Sequence, residues 1–564
     1  MSMVNEEEIK KAAIKNAATH GGSARAGSVI SEMLGKDKSL VNDMSNLKIL
    51  AEKAVNEVNA LGNEEILKLA NEMNLINHKE NQTEKKGLKP LPSTENGVVL
   101  RLPPEPSGYM HWGHALSFTI NYLYKEMYNG QLWLRFEDTN PNLVKEEFVK
   151  NFEESIKWLG IKYDKKKFIS DDMEKIYGFA EKLIKESKAY GCTCSSDEIK
   201  KDRNLGNECK HRNNSVEENL KLWEEAKNGK IDTGGITFRF KGNMKDKDAS
   251  LRDPNIMRVI KNDYKPYNLW PLYDFASVIE DELCGITHIL RSNEFKTNLQ
   301  SRLRKELGFK EPNIIQFSRF NFQGTLTSKR KVRELIKKGY IKDWHDIRLA
   351  TISSMKRRGI EPEAIRDFVK EVGYSASEHE YSLDMLFTLN RRIIDRSAKR
   401  LFFVPNPIKL LVEDATGEKA RLPFHPSNDL GYREIQTNTK FFVDKADIAS
   451  LDIGDKFRLK ELYSVEIIDK EEELVTCKIH SREHQQGEKI IQWVTEQNVP
   501  IKVIKVGDLL NADETFNENS LTGIEGFAEK NIDEIEEGQV VQFERFGFCR
   551  LDNKNKKEFI FVSK

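Results

Sequence analysis

The chain has 564 residues, of which 38% are hydrophobic and 32% charged, and its 90 lysines and arginines balance its 90 aspartates and glutamates. This length exceeds what one hydrophobic core supports, so about three to five domains are expected. The balanced charge argues against a strongly basic, non-specific nucleic-acid binder. No stretch approaches the roughly 18 apolar residues that cross a bilayer, and the charged start of the chain carries no apolar signal region. We therefore expect a soluble, cytoplasmic protein.

The first predicted unit is a small helical domain over residues 1–77. Ile9 and Ala13 recur at helical spacing, and a Gly21–Gly22 pair then interrupts the pattern before further helical runs. Residues 78–97 are polar, contain two prolines and show almost no apolar periodicity. We expect this segment to be a linker to a separate unit.

The next segment begins a predicted doubly wound α/β sheet. Residues 98–102 and 132–136 are short apolar runs typical of buried strands, with a Pro/Gly loop and a helical segment from about 111 to 128 between them. Strand, loop, helix and strand in this order indicate a Rossmann-like fold. We assign its first half to residues 98–170 and its second half to residues 272–322.

The last two predicted regions differ in their predicted secondary structure. Residues 323–400 are predicted to form a helical subdomain, with Pro362 at a helix start. From residue 401 to 564, short alternating runs separated by turn residues predict a β-barrel or sandwich region. The central third of the chain carries four basic clusters: 329–331, 356–358, 391–392 and 399–400. A phosphate backbone would contact such clusters, but solvated helix faces explain them equally well.

Two histidines at a predicted helix start form a candidate phosphate site. His111 and His114 lie one turn apart with Gly113 between them. Helix N-terminal amides carry partial positive charge, the histidines can donate to phosphate oxygens, and Gly113 lets a base or ribose approach the backbone. A second basic element, GTLTSKRK at 324–331, contains Lys329, which is placed to neutralise a departing pyrophosphate.

These two elements resemble the signatures of class I aminoacyl-tRNA synthetases. The His-Trp-Gly-His run is similar to their His-Ile-Gly-His signature, and Leu-Thr-Ser-Lys-Arg is similar to Lys-Met-Ser-Lys-Ser. Further segments resemble the glutamyl and glutaminyl branch: 134–141, 273–275, 286–291 and 344–352. Four features of the last region resemble archaeal and eukaryotic members, namely 424–426, Gly431, Arg433 and 544–547. The anticodon domain of those members is built of strands, whereas that of bacterial glutamyl enzymes is helical. The N-terminal segment 15–35 also resembles archaeal glutamyl enzymes. The resemblance to archaeal-type glutamyl-tRNA synthetases therefore extends over nearly the whole chain.

The resemblance implies ATP, accompanied by Mg²⁺, and a set of residues that handle it. The implied catalytic residues are His111, His114 and Lys329. The implied ATP-binding residues are Pro104, Glu105, Ser107, Gly113, Ser328 and Lys329. The chain departs from the family pattern at Trp112, where isoleucine or leucine is usual, and at Leu326 and Thr327 in the second signature. The first lysine of that signature is commonly missing in this branch, so Lys329 is the one expected to act.

One position separates glutamate from glutamine. In this family the residue that ends the Thr-His-x-x-x segment faces the substrate side chain, and glutamyl enzymes carry arginine there. In this chain it is Arg291. Its guanidinium can pair bidentately with a γ-carboxylate and offers nothing comparable to a neutral amide. The resemblance further implies that Glu137 accepts from the α-ammonium, Arg101 binds carboxylate, and Tyr273 hydrogen-bonds the amino acid.

The implied activity is ATP-dependent ligation of glutamate to tRNA(Glu) through glutamyl-adenylate, with charging of tRNA(Gln) left open. Residues 171–271 would be the insertion that holds the acceptor stem, and the barrels at 401–564 would bind the anticodon. The helical N-terminal domain would dock another synthetase or brace the catalytic body. Two alternatives remain, namely a glutaminyl-tRNA synthetase and a non-catalytic tRNA-binding scaffold protein.

Two close pairs of metal-binding side chains occur in the predicted insertion, namely Cys192 with Cys194 and Cys209 with His211. Fourteen residues separate the pairs, and four soft or borderline ligands are compatible with a tetrahedral zinc site. A comparable arrangement in some glutamyl synthetases implies a structural Zn²⁺, and reduced cysteines with a surface histidine are the alternative. The remaining three cysteines stand singly in apolar runs and are predicted to be buried: Cys284, Cys477 and Cys549.

Overall fold

The computed structural model describes residues 5–19, 23–73, 75, 87–322, 324–326, 328–377 and 379–564. It divides into two compact units, Met1–Lys86 and Gly87–Lys564. Within the described residues, every helix is too short or too polar to span a bilayer.

The first unit consists of helices in its described part. They are α1 (Glu6–Thr19), α2 (Ala26–Lys36), α3 (Met44–Asn59) and α4 (Asn63–Glu72). The side chains of Ile9 and Ala13 are fully buried, as their helical spacing predicts, and pack with Leu47, Ala51 and Val58 of α3. The helical prediction is therefore confirmed, while the predicted glycine break at 21–22 lies outside the described residues.

The second unit opens with alternating strands and helices. They are β1 (Val99–Leu102), α5 (Trp112–Met127), β2 (Gln131–Phe136), α6 (Glu146–Trp158) and β3 (Lys165–Phe168). The three strands are parallel in the order β1-β2-β3, with Leu100 opposite Leu132. The leucines of β1 and β2 are fully buried, as expected for strands covered on both faces, and each strand also carries one buried arginine, Arg101 or Arg135.

Part of the predicted linker packs against this sheet. The amide of Leu91 donates to the hydroxyl of Tyr128 at 2.8 Å, and His288 Nε2 lies 2.7 Å from the carbonyl oxygen of Pro92. The segment from residue 87 to 97 is therefore in contact with the α/β body. Residues 78–86 of the predicted linker lie outside the described residues.

The chain then leaves the parallel sheet and forms a mixed segment with its own antiparallel sheet. Its elements are α7 (Met173–Lys185), β4 (Ala189–Cys192), α8 (Ser196–Leu205), α9 (Val216–Lys227), β5 (Thr237–Phe240), β6 (Asn255–Val259) and β7 (Leu269–Pro271). The strand order is β4-β5-β6-β7. Ser195 and Ser215 cap α8 and α9 in capping boxes with Glu198 and Glu218, which fixes both helix starts.

The parallel sheet resumes with α10 (Tyr273–Leu283), β8 (His288–Ser292), α11 (Asn298–Leu307) and β9 (Asn313–Phe317). Strands β8 and β9 are parallel. Thr287, just before β8, donates from its backbone amide to the carbonyl of Val99 at 3.1 Å. This bond places β8 beside β1, so the strands follow the order β3-β2-β1-β8-β9. That order is typical of a doubly wound fold and confirms the predicted Rossmann-like architecture.

A mainly helical segment follows. Its elements are β10 (Phe320–Phe322), α12 (Lys329–Lys337), α13 (Ile352–Arg357), α14 (Pro362–Val372), β11 (His379–Tyr381) and α15 (Leu383–Ile394). Pro362 occupies the first turn of α14, where its missing amide hydrogen costs nothing, as predicted. The helical subdomain expected here is thus present.

The C-terminal region is built of strands. In chain order its elements are β12 (Lys399–Leu401), β13 (Phe403–Pro405), β14 (Pro407–Val412), β15 (Lys419–Pro423), β16 (Tyr432–Gln436), β17 (Lys440–Asp444), α16 (Lys445–Ile448), β18 (Lys456–Leu459), β19 (Ser464–Lys470), β20 (Leu474–Ser481), β21 (Lys489–Ile491), β22 (Val494–Thr495), β23 (Asn498–Val506), β24 (Leu521–Glu529), β25 (Val540–Phe543), β26 (Gly547–Asn553) and β27 (Glu558–Ser563). They form two seven-stranded sheets and a β15-β16 hairpin.

Both large sheets curl back on themselves. One has the order β12-β25-β26-β27-β23-β24-β13, and the other β21-β18-β19-β20-β14-β17-β22. In each sheet the two edge strands are consecutive in the chain, so the edges meet at Phe402 and at residues 492–493. Because only one or two residues join the edge strands, the two edges of each sheet lie close together, as in the predicted barrels.

A loop of the second unit connects a barrel to the helix that carries Lys329. Between β23 and β24, Leu509 is buried against Val332 and Leu335 of α12. The ammonium of Lys331 pairs with the carboxylate of Glu514 on the same loop. The barrel region and the second signature are therefore in direct contact.

Candidate active site

Helix α5 begins with the two signature histidines. His111 is the N-cap, and its Nδ1 accepts from the amide of Gly113 at 3.2 Å. His114 Nδ1 in turn accepts from the amide of His111 at 3.4 Å, and the two ring centroids lie 3.9 Å apart. Because both Nδ1 atoms accept, these hydrogen bonds assign the proton of each neutral ring to Nε2. The helix start therefore presents a pair of Nε2 donors.

Both histidines are held neutral by their surroundings. Burial, together with the positive charges of Lys329 and Arg319, lowers the pKa of His111 to about 3. Burial, His111 and Lys329 together lower the pKa of His114 well below its ordinary value. At neutral pH the pair can act on an anion as neutral hydrogen-bond donors, with no proton uptake needed.

Lys329 reaches from the start of α12 to the loop before α5. Its ammonium donates to the carbonyl of Glu105 at 3.0 Å and to the hydroxyl of Ser107 at 3.1 Å. The Ser107 hydroxyl donates to Oε2 of Glu105 at 2.7 Å, and that oxygen lies 3.7 Å from Lys329 Nζ. Burial lowers the pKa of Lys329, and the Glu105 carboxylate opposes this shift. The two signature loops thus share one hydrogen-bonded cluster.

The packing around α5 accounts for the unusual tryptophan of the first signature. Trp112 is 1% exposed, and its ring meets Phe322 edge-on at a centroid distance of 4.9 Å and Phe368 at 6.5 Å. It therefore fills the space between α5, β10 and α14. A Cβ on Gly113 would lie 3.2 Å from Cε1 of His111, so a glycine here preserves the capping contact of that ring.

The other residues expected to bind ATP flank this cluster. The carbonyl of Pro104 accepts from the amide of Glu137 at 2.8 Å, which ties the loop after β1 to the end of β2. Ser328 caps α12, with its hydroxyl accepting from the amide of Lys331 at 3.4 Å. Thr327 lies outside the described residues.

A buried cluster of arginines and carboxylates joins β1, β2, α10 and α11. Asp281 accepts from Arg101 Nε, Arg135 Nη1 and Arg304 Nη2, each at 2.9 Å. Burial acts to raise the pKa of Asp281, but these arginines together lower it. Arg135 also donates from Nη2 to Oε1 of Glu137 at 2.8 Å. Asp281 therefore fixes three guanidinium groups, and the guanidinium of Arg135 in turn fixes Glu137.

Two atoms of this cluster carry no hydrogen bond. Glu137 Oε2 and Arg101 Nη1 are buried and lack a partner among the described residues. Burial raises the pKa of Glu137, while Arg135 and Arg101 oppose that shift. A buried polar atom without a partner is costly, so each atom is suited to a ligand group of opposite character. The carboxylate suits an ammonium, and the guanidinium suits a carboxylate.

Arg291, on β8, differs from the arginines of that cluster. It is 6% exposed, and its Nη1 donates to the side-chain oxygen of Gln300 at 2.7 Å. Its guanidinium lies 5.0 Å from the ring centroid of Phe295. Among the described residues no carboxylate lies within ion-pairing distance of Arg291, and its buried Nε has no partner. Its positive charge therefore has no contact ion pair among the described residues.

Tyr273, the first residue of α10, indicates that the groups expected to bind glutamate converge. Burial raises its pKa; the charge of Glu137 raises it further, and those of Arg101 and Arg291 lower it. Such charge effects weaken with distance, so these side chains line one region. Two guanidinium groups and one carboxylate match the two carboxylates and the ammonium of glutamate.

Arg135, Asp281 and Gln300 were not among the residues expected from the sequence. Arg135 carried a usable signal, because a charge inside the apolar run of β2 requires a buried partner. Asp281 and Gln300 carried none. Each is a single polar side chain on a helix, where such residues are common, and sequence spacing does not identify its partners.

The four predicted zinc ligands come together. Cys192 ends β4, Cys194 precedes α8, and Cys209 and His211 follow that helix. Their ligand atoms all lie within 4.8 Å of one another. Cys209 Sγ lies 3.5 Å from Cys192 Sγ and 3.7 Å from Cys194 Sγ. His211 Nδ1 lies 3.6 Å from Cys194 Sγ and 3.5 Å from Cys209 Sγ. Tetrahedral zinc requires about 3.8 Å between sulfurs and about 3.5 Å between sulfur and nitrogen, so the donor set fits this ion.

The other three cysteines, Cys284, Cys477 and Cys549, are buried as predicted. All six cysteines are free.

Comparison with known families covers most of the second unit. Residues 97–395 match the catalytic domain of the tRNA synthetases class I (E and Q). Residues 398–483 and 490–552 match two anti-codon binding domains of the same family. Both signatures and the arginine–carboxylate cluster lie within the catalytic match.

Curated relatives extend the likeness to nearly the whole chain. A glutamate–tRNA ligase from Pyrococcus furiosus is 36% identical, over 98% of this chain and 99% of that protein. Glutamate–tRNA ligases from Nitrosopumilus maritimus and Methanocaldococcus jannaschii are 35% and 33% identical, each with 98% of this chain and 99% of the relative covered. The chain therefore belongs to the class I tRNA synthetases of the E and Q family.

Proposed function

We propose that this protein ligates glutamate to tRNA(Glu) in two ATP-driven steps. The observation that carries the choice of glutamate is the buried guanidinium of Arg291, whose charge meets no carboxylate of the protein among the described residues. A γ-carboxylate would supply that partner, whereas the amide of glutamine would leave the charge unpaired at a cost of about 1–3 kcal/mol or more. The relatives named above are glutamate–tRNA ligases, so the glutaminyl alternative is not favoured.

Binding of glutamate would use the three buried groups near Tyr273. The Oε2 atom of Glu137 is suited to accept from the α-ammonium, and Nη1 of Arg101 to donate to a carboxylate. Asp281 holds Arg101 through its Nε and leaves Nη1 for the substrate. Since these groups are fixed before glutamate binds, little further ordering is needed.

In the first step, the α-carboxylate of glutamate attacks the α-phosphate of ATP, and pyrophosphate leaves. The Nε2 donors of His111 and His114 and the ammonium of Lys329 would stabilise the charge that builds on the phosphate oxygens. Mg²⁺ would enter with ATP and neutralise part of that charge. No nucleophile from the protein is required, because positioning and charge stabilisation carry the step.

In the second step, a ribose hydroxyl of the terminal adenosine of tRNA attacks the mixed anhydride, and AMP leaves. The insertion at 171–271 would hold the acceptor end, and the barrels at 401–564 the anticodon. The contact of Leu509 with α12 would link the anticodon-binding region to Lys329. We place the reaction in the cytoplasm.

Aminoacylation of purified tRNA tests this proposal. Radiolabelled glutamate and glutamine are each supplied with tRNA(Glu) and with tRNA(Gln). Glutamate on tRNA(Glu) supports the proposal, and glutamate on tRNA(Gln) as well would make the enzyme non-discriminating. Attachment of glutamine in place of glutamate would contradict it, and binding of tRNA with no ATP turnover would revive the scaffold alternative.

We further propose that Cys192, Cys194, Cys209 and His211 hold one structural Zn²⁺. Bound there, the ion would cross-link the end of β4 to the chain after α8, within a segment that carries few apolar side chains of its own. The distances within the donor set support this choice of metal.

Metal analysis of the purified protein tests the zinc site. We expect about one zinc per chain. Cys209→Ser should lose the metal, while Cys284→Ala, a cysteine outside the cluster, should retain it. Zinc-free wild-type protein with unchanged thermal stability would contradict the proposal.

A further inference from the structure

The four buried arginines around the proposed glutamate site are held in two different ways. Arg101, Arg135 and Arg304 each donate directly to the carboxylate of Asp281 at 2.9 Å. Arg291 instead donates to the neutral side chain of Gln300 at 2.7 Å. The first three arginines are each in contact with a carboxylate, whereas Arg291 is held by a neutral amide.

The orientation of the Gln300 amide is determined by its two partners. Gln300 lies on α11, is 0% exposed, and donates from Nε2 to Oδ1 of Asp274 at 2.9 Å. A guanidinium can only donate and a carboxylate can only accept. The amide oxygen must therefore face Arg291, and the amide nitrogen must face Asp274. A flipped amide would place its nitrogen, a donor, against the donors of Arg291 and its oxygen, an acceptor, against the acceptor of Asp274.

The hydrogen-bonded series Arg291–Gln300–Asp274, here called the relay, separates the charge of Arg291 from that of Asp274. The amide lies between the guanidinium and Asp274, so the two charges interact across a neutral group rather than as a contact pair. A carboxylate in direct contact with Arg291 would compete with the γ-carboxylate of the substrate for the same donors. Phe295 covers one face of the guanidinium at 5.0 Å, and the carbonyl of Lys296 accepts from its Nη2 at 3.5 Å.

We propose that Gln300, with its amide oriented by Asp274, is a positioning residue that holds Arg291 for the γ-carboxylate of glutamate without neutralising it. This inference rests on the proposed function and adds two residues to its specificity site. Gln300 acts through Arg291 and is not itself in contact with the reacting atoms.

The test measures pyrophosphate exchange with tRNA present, in the full-length protein and in variants at these positions. Gln300→Met keeps the side-chain volume but removes both hydrogen bonds. Because a hydrogen bond to a charged group is lost, we expect the KM for glutamate to rise about tenfold. The KM for ATP and the kcat at saturating glutamate should stay within about twofold, since only ground-state binding of the side chain is affected.

Asp274→Asn is the second variant, and it keeps the shape of the relay. An asparagine can donate as well as accept, so the amide of Gln300 loses its imposed orientation. The KM for glutamate should rise again, with the KM for ATP unchanged. The matched control is Ser301→Ala on the same helix, which removes a 2.7 Å bond to Glu311 away from Arg291. It should leave every constant unchanged.

The outcomes separate this inference from the proposed function. If the wild-type protein activates no glutamate, the proposed function fails. If the wild type activates glutamate and the KM for glutamate is unchanged in both folded variants, the positioning role is wrong and the proposed function stands. A rise in the KM for ATP as large as that for glutamate would also overturn the positioning role, because it would indicate a general structural defect.

Discussion

The ammonium of Lys329 donates a hydrogen bond to the hydroxyl of Ser107 at 3.1 Å, across 222 positions of the sequence. Ser107 follows β1 of the parallel sheet, and Lys329 begins helix α12 in the segment after the sheet. The bond therefore joins two loops that the chain builds separately. Both loops contribute groups that suit a triphosphate.

Replacing Lys329 tests whether this contact belongs to the reaction. Lys329→Met keeps much of the aliphatic side chain but removes the charge, so the developing negative charge of the leaving pyrophosphate loses one donor. We expect pyrophosphate exchange with tRNA present to fall by roughly 10²-fold or more, mainly in kcat. The control is Lys338→Met near the end of α12, where the lysine is 55% exposed and pairs with Glu334 at 2.7 Å. Equal activity in the two variants would contradict the role of Lys329.

The buried histidines predict a pH dependence of stability. Burial lowers the pKa of His111 to about 3 in the folded protein, while an unfolded histidine keeps a pKa of about 6.5. Between these values the unfolded chain binds the proton and the folded chain does not. The stabilisation by neutral His111 is therefore complete above about pH 6.5 and is lost as the pH falls toward 3.

Thermal unfolding of His111→Asn between pH 7.5 and 5 measures this effect. The variant cannot take up the proton at this position, so its midpoint should fall less than that of the wild type over this range. His484→Gln, at an exposed position, serves as the control and should follow the wild type. Parallel curves for wild type and His111→Asn would show that His111 is not held neutral.

Trp112 predicts a packing cost. Trp112→Ile installs the residue usual at this signature position but leaves space between α5 and the rings of Phe322 and Phe368. We expect a loss of about 2–4 kcal/mol, seen as a thermal midpoint lower by several degrees. Trp112→Phe retains a ring in the same place and should lose less. An unchanged midpoint in Trp112→Ile would mean that the tryptophan is not a packing element.

The sequence predicted those features that are local or that follow a periodic pattern. The apolar runs of β1 and β2 and the helix start at His111 were identifiable because neighbouring residues determine them. The alternation of apolar and polar residues after Arg400 predicted the barrel region for the same reason. His111 and His114 were therefore placed correctly at the start of a helix.

The arginine–carboxylate cluster could not be predicted in this way. The bond between Arg101 and Asp281 spans 180 positions, and that between Arg135 and Asp281 spans 146. Neither periodicity nor spacing encodes such contacts. Gln300 is a single neutral side chain on a polar helix, so only the folded structure identifies Arg291 and Asp274 as its partners.

Charging of tRNA by Arg291→Ala tests whether Arg291 selects glutamate through its γ-carboxylate. We expect the KM for glutamate to rise roughly 100-fold while the folded state is retained, because a charge-assisted pair is lost. Arg302→Ala, at a 49% exposed position on α11, is the matched control and should charge tRNA(Glu) like the wild type. If Arg291→Ala charges tRNA(Glu) with an unchanged KM for glutamate, the basis proposed here for specificity is wrong.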